Sequence, residues 1–461
     1  MSRVVSMLPT SEDLIRSRDD LLAVFFESAA SSAPPRIGPE MEKCGVHPAD
    51  FTPVTYEGEV MNVLVDLAAH HRWKSERERE GGPVIALEKD GASVTLEPGG
   101  QLELSGAPAL DVHGIERETR AHMRELAGVS ERLGVRWLGV GFHPFATRED
   151  LHWVPKARYG IMREYFPKVG KYGVDMMLRT CTVQANLDYS SEADAMRKMR
   201  LALAVGPLTT AMFANSPWVE GKPFGGLTMR GLVWTSVDDA RSGLLPSLWR
   251  KEARLDDYVE WALRAPMFIL KREGDAIPAT DQTFEDFLAN GRDGLQATQA
   301  DWRLHLNTLF PEVRLKRTIE IRAADAQSPP TAYALPALYA GLFYDKKAED
   351  ELDALVESWS YDEVAGLRAK LWKTGLATPF AGKTLAPLAE KVVEIARGGL
   401  QRRAHKDARG RDETIYLEAL AALVARGKTP AEELLEAIGT GDDAKKKLVE
   451  RTDLSALAAP V

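Results

Sequence analysis

Four segments of the chain alternate polar and apolar residues with a period of two, and this pattern constrains the fold more than any other feature. They are PEMEKCG (39–45), GQLELSG (100–106), RTCTVQANLDY (179–189) and RLKRTIEIRAA (314–324). Because successive side chains of a strand point to opposite faces, each segment is predicted as a β-strand with one polar face. Hairpin signals such as Asp90-Gly91 favour antiparallel pairing. The chain is therefore predicted to be α+β with a largely antiparallel sheet.

The polar faces of these strands are rich in oxygen donors. The side chains that share such faces are Glu40 and Glu42; Gln101, Glu103 and Ser105; Thr180, Thr182, Gln184, Asn186 and Asp188; Thr318 and Glu320. One strand of this kind is explained more simply as the solvent-facing side of an antiparallel sheet. Glu is a poor strand former, however, so its recurrence on several strands favours a functional site.

Oxygen donors that converge from several strands are the ligands that Mg²⁺ prefers, with substrate phosphates and water completing its shell. The pattern predicts several Mg²⁺ ions that hold the phosphates of ATP, and the sequence contains no GxxxxGK[ST] loop. The Pro-Gly-Gly turn at 98–100 is expected to bring Glu97 back near Glu103. The candidates for bidentate binding of phosphate or carboxylate are Arg230, Arg241 and Arg322.

The composition excludes several classes of partner. The 461-residue chain has a formal net charge of −9, so nucleic acid or an anionic membrane is not expected as a main partner. No run approaches the ~20 apolar residues of a membrane helix, and no N-terminal signal is recognised. The two cysteines, Cys44 and Cys181, form no zinc motif and are interpreted as small buried fillers. Low cysteine use is typical of the reducing cytoplasm, which is the expected location.

The chain is expected to form a single catalytic domain across 1–461. Residues 1–400 are assigned to its sheet-and-helix core. Residues 401–461 are assigned to a C-terminal helical tail, which begins at the polar stretch QRRAHKDARGRDE. Near the N-terminus, residues 11–30 are predicted as a helix capped by Ser11.

Several segments together resemble plant-type and bacterial glutamate–cysteine ligases, which belong to the carboxylate–amine ligase group. They are RIGPEMEKCGV, LEPGGQLELSGAP, RYGIMREYFPKVG, MMLRTCTVQANLDYSSEADAMRK, MRGLVWTSVDDARSGLLP, RLKRTIEIRAADAQ and ARGGLQRRA. They occur in the family's order through nearly the whole chain. The resemblance implies a glutamine-synthetase-like fold, in which a curved antiparallel sheet carries helices on its outer face.

The same resemblance implies an activity and a set of site residues. ATP would phosphorylate the γ-carboxylate of glutamate, and the amine of cysteine would then displace phosphate, in the first step of glutathione synthesis. The implied cofactors are two or three Mg²⁺ ions with ATP as co-substrate, and the implied enzyme is a monomer or homodimer acting on small molecules. The residues at the family's metal positions are Glu40, Glu42, Glu97, Glu103, Gln184 and Glu320. Those assigned to catalysis or to binding of phosphate and substrate are Arg230 and Arg322, with Arg241 and Asn186 as further binding candidates.

Other functions stay open on the residues alone. A ligase of the same chemistry could use a different amine, because pocket shape separates small side chains weakly. Clustered carboxylates also serve metal-dependent phosphoesterases, and an inactive binding module is a third alternative. Replacement of Glu40, Glu42, Glu103 or Glu320 by Gln is expected to weaken metal binding and cut turnover while folding survives.

Overall fold

The computed structural model describes residues 13–27, 34–272 and 275–459. The strands in these ranges are β1 (Ile37–Val46), β2 (Lys74–Glu76), β3 (Ala86–Lys89), β4 (Ala92–Leu96), β5 (Leu102–Ser105), β6 (Arg136–Leu138), β7 (Thr182–Leu187), β8 (Trp218–Val219), β9 (Lys222–Pro223), β10 (Ser242–Gly243), β11 (Ile269–Arg272), β12 (Asp275–Pro278), β13 (Phe310–Pro311), β14 (Val313–Leu315), β15 (Ile319–Asp325), β16 (Pro379–Phe380) and β17 (Lys383–Thr384).

Helices surround these strands and dominate the C-terminal third. The α-helices are α1 (Arg18–Phe26), α2 (Met61–His71), α3 (Val112–Leu133), α4 (Ala157–Val169), α5 (Gly173–Arg179), α6 (Glu192–Met212), α7 (Met229–Val233), α8 (Leu255–Arg264), α9 (Phe284–Asn290), α10 (Gln299–Leu306), α11 (Ala334–Phe343), α12 (Lys346–Val356), α13 (Tyr361–Thr374), α14 (Ala386–Arg403), α15 (Glu418–Val424), α16 (Pro430–Ile438) and α17 (Ala444–Thr452). A π-helical turn spans Tyr56–Val60, and 3₁₀ turns span Pro246–Leu248, Gly375–Ala377, Glu413–Leu417 and Leu454–Ala458. Among the described residues, no helix combines the length and the apolar character that crossing a membrane requires.

The main sheet is antiparallel throughout. In the described part of the chain it contains nine strands in the order β14-β15-β7-β1-β5-β4-β3-β2, with β6 paired to β1 beside this path. Every neighbouring pair in it runs antiparallel. The predicted α+β class with a largely antiparallel sheet is therefore confirmed.

The apolar faces of the central strands form the core. Met41, Leu104, Val183 and Ile321 alternate with the polar residues of their strands, and all four are buried. Helix α3 covers this face, since the Thr119 hydroxyl reaches the Met41 sulfur at 3.4 Å. Helices α6 and α11 pack against β15 and β7. Burial of one face by helices leaves the opposite, polar face free to line a cleft.

The two cysteines fulfil the structural role expected of them. Cys44 and Cys181 are both buried and neither forms a disulfide. Burial raises the pKa of the Cys181 thiol well above its ordinary value, and the neighbouring Cys44 adds to this effect. A thiol in such surroundings packs as a small apolar side chain.

The ends of the chain differ from the predicted elements. Helix α1 begins at Arg18 and is capped by Ser17, whereas Ser11 and residues 28–30 lie outside the described residues. The boundary expected after residue 400 falls inside α14, which continues to Arg403. The C-terminal segment is tied to the core, because the backbone N–H of Val112 donates to the Glu413 carboxylate at 2.8 Å. The division of the chain into domains stays a prediction.

Candidate active site

The polar residues of four neighbouring strands lie in register. Glu42 on β1 is the direct partner of Glu103 on β5, and Glu103 is the partner of Thr95 on β4. On the other side, Glu40 is the partner of Gln184 on β7. Directly opposed residues of an antiparallel pair share a face. Residues far apart in the chain therefore meet on one wall.

This wall borders a cavity of about 410 Å³. That size falls in the range of small-molecule sites. Among the predicted site residues, those that line it are Glu40, Glu42, Glu97, Glu103, Gln184, Arg230 and Arg322. An apolar side of the same cavity is formed by Met162, Met176, Trp234 and Phe310.

Three carboxylates form the tightest acidic cluster of the described residues. Ligand oxygens of Glu42, Glu97 and Glu103 all lie within 4.8 Å of one another. Mg²⁺ binds oxygens at about 2.1 Å, so two ligands across the ion are about 4.2 Å apart. The donor set and spacing thus fit one hard divalent cation after a small contraction.

A tight turn after β4 positions Glu97. Its backbone N–H donates to the Gln101 carbonyl at 3.0 Å, and the Gly100 N–H donates back to the Glu97 carbonyl at 3.0 Å. A Cβ on Gly99 would lie 2.2 Å from the Leu178 carbonyl oxygen, so only glycine allows this backbone approach. The Gln101 amide donates to the Thr180 carbonyl at 2.9 Å and so fixes the turn instead of facing the cavity.

Burial and mutual repulsion raise the pKa values of Glu42, Glu103 and Glu40. The pKa of Glu42 lies well above its ordinary value because of burial and of its neighbours Glu97 and Glu103. Burial and Glu97 also raise the pKa of Glu103. The pKa of Glu40 rises to about 7, first through burial and then through Glu320 and Glu103. Such a cluster binds either protons or a cation.

Glu320 shares the wall but has a different environment. It is fully buried and makes a two-pronged ion pair with Arg314, in which Nε and Nη2 each donate at 2.8 Å. Lys316 lies 2.9 Å from the same carboxylate, and Arg322 also pairs with it. Although burial opposes ionisation, these cations hold the pKa of Glu320 well below its usual range. The carboxylate is therefore ionised and already neutralised by the protein.

The arginines and the amide predicted for substrate binding fall into two groups. Arg322 lines the cavity and donates to the Gln184 amide oxygen at 3.1 Å, and Arg230 donates to the Arg322 carbonyl at 2.7 Å. Asn186 instead donates to the Glu40 carboxylate at 2.8 Å. Arg230 and Arg322 are thus placed to contact a ligand, whereas Asn186 orients Glu40.

Arg241 lies outside the cavity, which corrects its assignment as a phosphate- or carboxylate-binding residue. Its guanidinium is buried, donates to Asp238 at 2.6 Å and donates to the Pro266 carbonyl at 2.7 Å. The Phe268 ring stacks at 3.8 Å from its central carbon. The physical reason is that the charge of Arg241 is already neutralised by Asp238 in a buried ion pair, so this guanidinium does not face a ligand in the cavity.

Two cationic residues and a tyrosine that sequence reasoning did not identify also line the cavity. Lys156, Arg158 and Tyr159 border it at the start of α4. The Lys156 ammonium donates to the Leu96 carbonyl at 2.8 Å, beside the Glu97 turn. Burial lowers its pKa to about 8. These residues follow an irregular loop without periodicity, so only their spatial position reveals them.

Comparison with known proteins gives the family. The model of glutamate–cysteine ligase family 2 matches residues 36–451. The chain belongs to this family. The glutamate–cysteine ligase of Brassica juncea chloroplasts is 42% identical over 440 residues, which are 94% of this chain and 84% of that protein. The chloroplastic enzyme of Arabidopsis thaliana is also 42% identical over 440 residues, with 94% and 83% covered.

A solved structure shares the fold at low sequence identity. Glutamate–cysteine ligase from Francisella tularensis, in complex with AMP, superposes with a TM-score of 0.58 at 12% identity. The match covers 93% of this chain and 90% of that one. The resemblance recognised in the sequence is confirmed. These comparisons also confirm that the protein is a glutamate–cysteine ligase, the enzyme of the first step of glutathione biosynthesis.

Proposed function

We propose that this chain joins the γ-carboxylate of glutamate to the amine of cysteine, using ATP and two or three Mg²⁺ ions, through γ-glutamyl phosphate. The observation that carries the proposal is the cluster of Glu42, Glu97 and Glu103, whose oxygens lie within 4.8 Å of one another in a chain of this family. Glu42 and Glu103 are buried and their pKa values are raised, so keeping both charged beside Glu97 is costly without a cation. This cost supports a metal-binding role.

The residues that would bind metal are divided between two parts of the wall. Glu42, Glu97 and Glu103 would hold one Mg²⁺, and Glu40, Gln184 and Glu320 would contribute ligands for the others. When bound, Mg²⁺ neutralises charge on the phosphates and on the transferring phosphoryl group. For Glu320 to act as a ligand, its ion pairs with Arg314 and Arg322 must loosen, because all of its near partners are now cations.

The cationic residues supply the remaining electrostatic stabilisation. Arg322 and Arg230 present guanidinium groups to the cavity, where they would bind phosphate or a substrate carboxylate in bidentate fashion. Lys156 and Arg158 lie on the side of Glu97 and would balance negative charge there. Since phosphoryl transfer relies mainly on positioning and charge stabilisation, no nucleophilic side chain is needed.

The proposal also covers the substrates, the location and the oligomeric state of the enzyme. We propose small-molecule substrates and a cytoplasmic, monomeric or homodimeric enzyme. The low cysteine content supports the location, whereas the plant relatives carry chloroplastic names.

The test is a steady-state assay with purified protein, Mg-ATP, glutamate and a panel of amines. Phosphate release should require both glutamate and an amine, and mass spectrometry should detect γ-glutamylcysteine. ATP hydrolysis that is independent of glutamate would instead identify a phosphoesterase. If cysteine fails to outcompete 2-aminobutyrate or alanine, the acceptor is wrong while the ligase chemistry stands.

A further inference from the structure

Asp325 is a buried carboxylate that the proposed mechanism does not use. It is the last residue of β15 and is fully buried. It belongs to the segment RLKRTIEIRAADAQ, on which part of the family resemblance depends. Asp325 is absent from the described residues that line the active-site cavity. A carboxylate buried away from the cavity needs an explanation, because burying a charge is costly.

A β-bulge turns Asp325 toward the polar face of the sheet. Strict alternation from Glu320 would put it on the opposite, apolar face. The pairing of β15 with β7 shifts between Ile321 and Ala324, so that Asp325 becomes the direct partner of Thr182, a residue of the cavity wall. Directly opposed residues share a face. Bulges beside active sites commonly re-aim a side chain, and here that side chain is Asp325.

Donors from both ends of one loop hold the Asp325 carboxylate. Its Oδ2 accepts the Asn215 backbone N–H at 2.8 Å and the Ser216 hydroxyl at 2.7 Å. Its Oδ1 accepts the Thr228 hydroxyl at 2.9 Å. The backbones of Ser216 and Thr228 also form a β-bridge. Asp325 therefore fastens together the two ends of the loop 217–227.

The same two hydroxyls hold the start of helix α7, which carries Arg230. The Thr228 hydroxyl caps this helix by accepting the Gly231 N–H at 2.8 Å. The Ser216 hydroxyl accepts the Arg230 N–H at 3.2 Å. Each hydroxyl thus donates to Asp325 and accepts from α7, so the carboxylate fixes the direction of both hydrogen bonds.

Strand β15 also fixes the far end of the Arg230 side chain. The Arg230 guanidinium donates to the Arg322 carbonyl at 2.7 Å, within the bulge of the strand that presents Asp325. Burial lowers the pKa of Arg230, and the charge of Asp325 opposes this effect. Burial likewise raises the pKa of Asp325, and Arg230 opposes that rise. One strand therefore holds Arg230 at its backbone and at its guanidinium, and each of the two charges favours the other.

We propose that Asp325 is the positioning residue for Arg230 and acts through the hydroxyls of Ser216 and Thr228. The inference rests on the proposed function, in which Arg230 binds an anionic group of a substrate. A guanidinium that binds an anion through two parallel hydrogen bonds depends strongly on its orientation. Loss of either hydroxyl therefore weakens the contact that Arg230 makes, although Asp325 itself touches no substrate.

The first test removes one hydroxyl and keeps the size of the side chain. Thr228→Val should lower kcat/KM about five- to tenfold, mainly through the KM of the substrate whose KM Arg230→Lys also raises. Thr228→Ser keeps the hydroxyl and should retain the wild-type KM. The matched control is Thr209→Val, which removes an equally buried hydroxyl bonded to the Val205 carbonyl at 3.0 Å. This control should change no KM.

A double-mutant cycle separates positioning from a general loss of structure. In the Arg230→Lys background, Thr228→Val should lower kcat/KM by less than about twofold, because the guanidinium that it positions is already gone. If Thr228→Val does not fold, Ser216→Ala takes its place in the cycle. This variant removes the other hydroxyl and should give the same pattern.

The same fall in kcat/KM in both backgrounds, an equal rise in KM for all three substrates, or wild-type kinetics for both Thr228→Val and Ser216→Ala would overturn the assignment. Wild-type protein that forms no γ-glutamyl product would instead remove the proposed function itself, and this result is seen before any variant is measured.

Discussion

Glu42 and Glu103 lie directly opposite each other on the antiparallel strands β1 and β5, both buried and both facing the cleft. Like charges in direct opposition destabilise a sheet. The pair is nevertheless held in place, since Glu42 accepts the Thr182 N–H at 2.9 Å and Glu103 accepts the Ser105 hydroxyl at 2.6 Å. The protein thus keeps a pair that lowers its stability in the absence of a cation, as is expected where a site is preorganised for a metal.

Removing one of these charges should stabilise the metal-free protein. Glu103→Gln should raise its free energy of unfolding by up to about 1 kcal/mol, because the repulsion with Glu42 disappears. The same change should abolish most of the increase in melting temperature that Mg²⁺ causes, and most of the turnover. Urea unfolding in chelator and thermal unfolding with and without Mg²⁺ measure both effects. Glu118→Gln, a half-buried carboxylate on α3, is the control and should keep the full response to Mg²⁺. A less stable metal-free Glu103→Gln protein would contradict this account.

Glu320→Gln should behave differently, because the protein itself neutralises Glu320. The change leaves Arg314, Lys316 and Arg322 without their counter-charge in a buried site. We expect a loss of about 3–5 kcal/mol in the free energy of unfolding, in addition to the loss of turnover. This expectation replaces the sequence-based one that folding survives unchanged. Combining Glu320→Gln with Arg314→Gln should restore part of the stability and none of the activity. Equal urea midpoints for wild type and Glu320→Gln would contradict the expected loss of stability.

Arg241→Lys should separate stability from substrate binding. Lysine keeps the charge but cannot reproduce the contacts of the guanidinium to Asp238 and the Pro266 carbonyl. The free energy of unfolding should fall by about 2 kcal/mol or more, while KM for ATP, glutamate and cysteine stays at the wild-type value. Arg322→Lys provides the opposite case, with a large loss of kcat/KM. A change in KM for any substrate in a folded Arg241→Lys protein would return this residue to the active site.

His143 should make the protein less stable as the pH falls. Its Nδ1 accepts the backbone N–H of Ala146 at 3.0 Å, and burial followed by Arg179 lowers its pKa from 6.5 to about 4. Below pH 6.5 the unfolded chain binds a proton that the folded chain does not, so stability declines from about pH 6.5 to about pH 4. The full contribution is about 3 kcal/mol.

The variant His143→Asn isolates this contribution. It should be less stable than wild type at pH 7.5, and the difference should shrink as the pH is lowered to 4.5. Urea unfolding across that range measures it, with the exposed His70→Asn as control. A deficit that does not vary with pH would mean that His143 does not titrate in this way.

The sequence predicted which strands carry these polar side chains on one face, because side-chain alternation is a local property. Glu40, Glu42, Glu103 and Gln184 all lie on the face that their spacing assigns to them, and the turn at 98–100 brings Glu97 to Glu103 as expected. The roles of these residues as ligands stay predictions. Gln101 departs from the pattern, because it precedes β5 and its amide is used to fix the turn.

The arginines were harder to assign, since the partners of a long side chain depend on distant parts of the chain. Arg241 and Arg322 look alike in the sequence, yet Arg241 is enclosed by Asp238 and Phe268 while Arg322 reaches Gln184. Lys156 at the start of α4 carried no periodic signal at all. Burial and pairing, not residue type, decide which cation faces a ligand.

The amino-acid order by itself determined the family, the antiparallel character of the sheet and the set of carboxylates able to share a face. Those properties depend on alternation and on ordered motifs, both of which are readable along the chain. Only the tertiary structure decided that Glu42 faces Glu103 and that Glu320 is already paired with cations. Strand register and the packing of distant segments set these relationships, and a shift of one residue in register would reverse every side chain involved.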